Sequence, residues 1–284
     1  MASHSLYTQA ELGDFSALAA SAAARKGPAA VLEQIASRPR LVPITPASRL
    51  GVRPSPEMVS SGIPQIDSLT GGFPRGCLSE ICGRASSGRT SILIAALAAA
   101  TRRQEVCSLV DSSDAFNPFS AAAAEVDFAR LLWVRCGAYE KRPRGAQKNP
   151  AMHAVEQTLR ATDLLLQSGG FGMIVMDLAD IPFTAARRIP LTTWFRFQRA
   201  VENKSTVLLV LAQSPLAATC ASVLLQLKEE KLAAFKRASE KARASHVQIL
   251  EELPVAAELV RTRLERKPVR SAAAEFVTRA VRIS

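Results

Sequence analysis

The sequence predicts an α/β fold with a mostly parallel central sheet flanked by helices. Three observations predict it. Short, nearly continuous apolar runs in "EVCSLVDSS", "FGMIVMDLAD" and "STVLLVLAQS" read as strands buried on both faces. Helical patterns separate these runs, as the crossovers between parallel strands require. A glycine-rich turn follows the strand ending "SEIC" and opens a helix.

Each element follows in order. Residues 14 to 38 read as a helix with Phe15, Leu18, Val31, Leu32 and Ile35 as apolar points, broken near Gly27-Pro28. With the Pro- and Ser-rich "RPRLVPITPASRLGVRPSP" they form an expected N-terminal segment, 1–57, ahead of a core over 58–284. Turn signals at Gly71-Gly72 and Pro74-Arg75-Gly76 precede a strand from Cys77 to Cys82. "TSILIAALAAATRR" is a helix, 115–129 suggests another, and "RLLWVRCG" is a strand. "AMHAVEQTLRATDLLLQSGG" has helical spacing at residues 152, 155, 159 and 166 and ends at Gly169-Gly170. "LTTWFRFQRAVENK" is a helix before the last long apolar run. A long charged helix is expected as an insertion at about 228–252, in "KEEKLAAFKRASEKARASHVQILEEL". Its mixed charges suit an exposed, salt-bridged face, and protein docking is the alternative. "VAAELVRTRL" and "AAEFVTRAVRIS" read as antiparallel C-terminal strands.

Composition narrows the function classes. The net charge of +11 fits an anionic partner, nucleic acid or an acidic protein face, or else a solvated basic surface. No apolar run approaches the ~18 residues of a membrane span, and the first residues do not read as a secretory signal. Five scattered cysteines without a C-x-x-C pair suit a reducing cytoplasm and argue against a zinc site. The three histidines, His4, His153 and His246, stand apart from any metal-spaced cluster.

The glycine-rich turn, "GRASSGRTS", has the frame of a phosphate-binding loop: Gly83, then Arg84, Ala85, Ser86 and Ser87, then Gly88, Arg89, Thr90 and Ser91. Backbone N–H groups of such a turn and the helix N-terminus wrap an anion. Thr90 would hold Mg²⁺, and a lysine normally stands at Arg89. Arginine keeps the charge but presents a wider planar fork. Asp177 ends the "MIVM" strand, where an acidic group would support Mg²⁺, and Gln213 follows the next strand at the ligand-bearing edge. ATP with Mg is the expected ligand, the alternative being a turn that is only structural.

The ordered series "SSGIPQIDSLTGGFPRG", "SEICGRASSGRTS", "VDSSDAFNPFSAAAAEVDFARLLWVR", "SGGFGMIVMD", "LLVLAQS", "CASVLLQL" and "LVRTRLERKPVRSAAAEF" resembles the bacterial RecA recombinase family. That resemblance implies a RecA-like phosphate-loop core that binds ATP, binds single-stranded DNA and self-associates. It also exposes departures. The family's catalytic glutamate falls at Ser113, beside Asp114. The long loop after the coupling glutamine is reduced here to "SPLAAT" after Gln213. The other DNA loop becomes "LADIPFTAARRIP". Arg261 and Arg263 stand where the family's paired lysines reach a neighbouring subunit's nucleotide. Arg187, Arg188, Arg196 and Arg199 are the expected DNA contacts, and Trp194, Phe195 and Phe197 are expected in the core. "YEKRPRGAQK" reads as a solvated basic loop.

This pattern of loss looks like the ImuA branch, accessory to mutagenic translesion synthesis. That likeness implies a DNA-damage (SOS) setting, weak or absent ATPase activity, and an error-prone polymerase or polymerase-like partner, with self-association or RecA contact besides. The rival expectations are an active DNA-dependent ATPase or recombinase, with Asp114 replacing the missing base, and an SOS or cell-division regulator acting by protein contact.

Overall fold

The computed structural model describes residues 55–137, 150–228, 252–263 and 272–279. The expected N-terminal segment, the basic loop 139–148 and the charged insertion between 228 and 252 lie outside the described residues.

The architecture is a RecA-like α/β sandwich of helices around one large sheet. Strands β1 (Met58–Val59) and β2 (Phe73–Pro74) pair antiparallel as a small separate sheet. Helix α1 (Pro64–Thr70) lies between them. The main sheet contains β3 (Leu78–Cys82), β4 (Cys107–Asp111), β5 (Leu131–Arg135), β6 (Met173–Asp177), β7 (Val207–Ala212), β8 (Val223–Lys228), β9 (Glu252–Thr262) and β10 (Ala272–Arg279). Their spatial order is β10-β9-β8-β3-β7-β6-β4-β5. The six strands from β8 to β5 are parallel, whereas β9 and β10 run antiparallel at one edge.

Alternation along the strands supplies both faces of the core. Ile81, Leu109, Val175 and Leu209 pack on one face with Ile92, Leu93 and Leu97 of α2 (Arg89–Arg102). Leu78, Ile174, Met176, Leu208 and Val210 pack on the other. There they meet Val155 and Leu166 of α4 (Pro150–Ser168) and Trp194 and Phe197 of α6 (Leu191–Val201). The C-terminal ends of all the parallel strands therefore share one edge, where open α/β sheets collect ligands.

The local differences from expectation have physical causes. Helix α1 is not among the expected elements: Pro64 opens it and Gly71, at φ 77°, closes it after two turns, so punctuation outweighs periodicity. The helix expected over 115–129 is only α3 (Pro118–Ala123), followed by a 3-10 turn at Phe128–Arg130. Glu125 at φ 64° stops it, and Asp127 caps the next turn by accepting from the Ala129 N–H. A four-residue helix α5 (Phe183–Ala186) precedes α6. Phe195 corrects a core expectation: it is exposed, while Trp194 and Phe197 are buried.

One cap gives a direct test. The Asn117 side chain accepts from the Ser120 N–H at 3.1 Å at the start of α3. Asn117→Ala is expected to cost about 1 kcal/mol in urea unfolding. Among the described residues, no helix is long and apolar enough to cross a membrane.

Candidate functional site

Gly83 leaves β3 with its N–H donating to Ala212 O at 3.2 Å, which joins the loop to β7. A Cβ on Gly83 would meet Ser87 Oγ at 2.5 Å and Leu227 Cβ at 2.9 Å, so only glycine fits. The Ser87 N–H then closes a turn onto Arg84 O at 3.2 Å. Ser86 adopts φ 60° and Gly88 φ 92°, and a Cβ on Gly88 would strike Val255 Cγ2 at 2.5 Å. The turn thus curls over the N-terminus of α2, with Arg84, Ala85 and Ser86 exposed at its tip. Ser87 is buried and its Oγ has no hydrogen-bond partner among the described residues. A close glycine cradle, a helix N-terminus and an orphaned hydroxyl fit a phosphate group.

Arg89 does not point outward. It is buried, and its Nη1 donates to Ala179 O at 3.1 Å, just beyond the end of β6. Burial pulls its pKa below the usual arginine range, opposed by attraction to Asp177, Asp180 and Cys82. Asp177 lies in register with Asp111 on the neighbouring β4. Its Oδ1 accepts from the Ala179 N–H at 2.9 Å. Burial pushes the Asp177 carboxyl up to about 6. Asp111 and Asp180 raise it further, while the Ala179 N–H and Arg89 lower it.

The other strand end carries no open carboxylate. Asp111 is fully buried and accepts from the N–H groups of Ser113 (3.2 Å), Ala115 (3.3 Å) and Phe116 (3.0 Å) and from Trp133 Nε1 (3.3 Å). Asp111 was not among the expected site residues. Its signal in the sequence was an aspartate ending an apolar run, the same signal that marked Asp177. Ser113 sits in the turn that Asp111 organises, its Oγ buried without a partner among the described residues. Asp114, at φ 59°, is bound by the Arg135 guanidinium through both carboxylate oxygens, and Arg135 holds its carboxyl below the usual range.

Gln213 lies one residue beyond β7, exposed, with Nε2 donating to Ile181 O at 3.2 Å. It thereby links the loops after β6 and β7. The loop after Gln213 is held from below by Glu80. That side chain is fully buried in β3 and accepts from the Leu216 N–H at 2.6 Å and the Ala217 N–H at 3.3 Å. Burial raises the Glu80 pKa, against the two N–H groups and Arg261. Arg261 on β9 donates through Nη1 to Ala218 O of the same loop, and the Arg263 N–H donates to Ser222 O at 2.9 Å. The Arg261 side chain is thus engaged within its own chain, whereas for Arg263 the contact is made by the backbone. Glu80 was missed because its partners lie far along the sequence.

The four arginines read as DNA contacts do not form one cluster. Arg187 and Arg188 are exposed after α5, on the loop side of β6. Arg196 pairs with Asp163 of α4 at 3.3 Å and lies over the Phe197 ring at 5.6 Å. Helix α6 runs from the ligand edge back toward the start of β7, so Arg199 in its last turn lies toward the opposite edge.

Thr90 is exposed in the first turn of α2, and no group of three or more His, Cys, Asp or Glu among the described residues could hold a metal ion. The residues fit the phosphates of ATP. For Mg²⁺ the set departs from the expected one, because a buried guanidinium donates to Ala179 O two residues past Asp177 and is attracted to that carboxylate.

The fold and loop define an α/β core with a phosphate-loop frame at its ligand edge. Residues 49–184 match the family model for the RecA N-terminal domain. The matched segment takes in the phosphate-loop frame and runs to the turn after β6, a little under half of the chain. The chain is 35% identical over 133 residues to Protein RecA of Corynebacterium jeikeium, covering 45% of this chain and 31% of that protein. It is 33% identical over 133 residues to Protein RecA of Kineococcus radiotolerans, covering 45% and 34%. The chain thus spans about a third of the length of these curated relatives. Among solved structures, the crystal structure of the RadB recombinase superposes with a TM-score of 0.52 at 16% identity, covering 77% of this chain and 95% of that one.

Proposed function

We propose that this chain is a RecA-like accessory protein of the DNA-damage response that binds a nucleotide but turns it over slowly or not at all. The observation that carries this reading is the end of β4. Ser113 has no carboxylate, Asp114 is tied to Arg135, and Asp111 is saturated by its own turn. A base that orients water for phosphoryl transfer must be free to reach it, and none of these groups is. The rival active ATPase needed Asp114 in that role.

The loop from Gly83 to Ser91 would hold the phosphates, and Gln213 would sense them beside Ile181. Arg187 and Arg188 would contact single-stranded DNA through its backbone, a salt-dependent interaction. The short latched loop after Gln213 leaves little to engage DNA for strand exchange. The pattern of losses favours the ImuA-type role, with an error-prone polymerase or polymerase-like subunit as partner and self-association or RecA contact in support.

Phosphate release measured with and without single-stranded DNA tests the reading. Turnover near background is expected, and appreciable DNA-stimulated turnover refutes it. The double change Ser113→Glu with Arg89→Lys restores both family groups. It is expected to raise turnover by about a hundredfold, the low end of what a positioned base contributes.

A further inference from the structure

The side chain at the heart of the loop points to a different charge arrangement from that of a metal-dependent site. Arg89 is buried at the first position of α2 and reaches over to Ala179 O beyond β6. That places a fixed cation between the phosphate cradle and the Asp177–Asp180 turn, attracted to both carboxylates. A divalent ion entering the same space would meet a desolvated guanidinium, and like charges a few ångströms apart repel strongly where water is excluded. Magnesium demands near-ideal octahedral oxygen geometry and gives up its waters reluctantly.

The same guanidinium suits the anion. It carries five N–H donors in a planar fork that matches phosphate oxygens two at a time. Among the described residues Arg89 makes one hydrogen bond, to Ala179 O, so most of the fork remains for a ligand. The loop supplies the rest: the Ser87 hydroxyl without a partner, the glycine cradle and the α2 N-terminus.

We propose that Arg89 replaces the divalent cation, so that the chain binds the polyphosphate tail of a nucleoside triphosphate without magnesium. This inference rests on the reading of the loop as a nucleotide site. Arg89 is a binding residue here, anchored by Ala179 at one end of its fork and open to the phosphates at the other.

Calorimetric titration of ATP into the full chain, once with magnesium and once with EDTA, tests it. The expected affinities agree within about threefold. Arg89→Lys, whose compact ammonium cannot hold Ala179 and two phosphate oxygens together, is expected to lose about tenfold or more in EDTA and to recover with magnesium. A thermal melt establishes that the variant is folded. Wild-type binding that requires magnesium overturns the inference and leaves the nucleotide reading standing. Absence of ATP binding in both media removes the nucleotide reading, and the inference falls with it.

Discussion

Asp177→Asn is expected to make the protein more stable at pH 8. The wild-type carboxyl is buried and its pKa is raised from 3.8 to about 6. Above pH 6 the folded state holds a charge that the unfolded state holds far more comfortably. An acid whose folded pKa lies above its unfolded value therefore costs stability at high pH. That cost fades as pH falls through 6 and is absent below about 4. A shift of this size corresponds to about 2–3 kcal/mol. Asparagine keeps an oxygen for the Ala179 N–H and removes the charge. Urea unfolding at pH 8 should show the variant ahead by about 2 kcal/mol, with the two proteins converging at acid pH. A variant equal to or weaker than wild type at pH 8 would show that the attraction of Arg89 outweighs burial. A site residue that destabilises its own fold is a familiar mark of a position kept for function.

Glu80→Ala is expected to act in the opposite direction. Glu80 is fully buried and is the acceptor for the Leu216 and Ala217 N–H groups. Alanine strands both donors away from water, at about 1–3 kcal/mol each, and opens a cavity in β3. We expect a loss of about 3–5 kcal/mol in chemical unfolding. Glu80→Gln retains an acceptor oxygen and should lose about 1 kcal/mol or less. If alanine and glutamine prove equally mild, Glu80 does not hold the loop.

The individual strands and the loop were legible because each depends on local pattern, whereas the order of the strands in the sheet was not. "MIVMD" announces a buried strand with an acid at its end, and "GRASSGRTS" announces a turn that needs glycine. The direction of Arg89 was not legible. Its side chain is long enough to face the loop or to cross to β6, and only the position of Ala179 decides. Asp114 looked like a stand-in for the missing base, yet its left-handed backbone and Arg135 turn it aside. Glu80 read as a charge in a strand, since nothing near "LSEIC" reveals two N–H donors arriving from the loop after β7. Arg196 and Arg199 looked like companions of Arg187 and Arg188. Only the direction of α6 separates them.

The antiparallel pairing of β8 with β9 sets Lys228 opposite Ala256, and the Lys228 ammonium pairs with Glu258 at 2.5 Å. The chain therefore leaves and re-enters the sheet at neighbouring positions. Lengthening a connection between two paired strands costs little entropy. The core can accept a new module there without changing its register. A reporter domain grafted between 229 and 251 is therefore expected to leave the β8–β9 pairing and the ligand edge as they are.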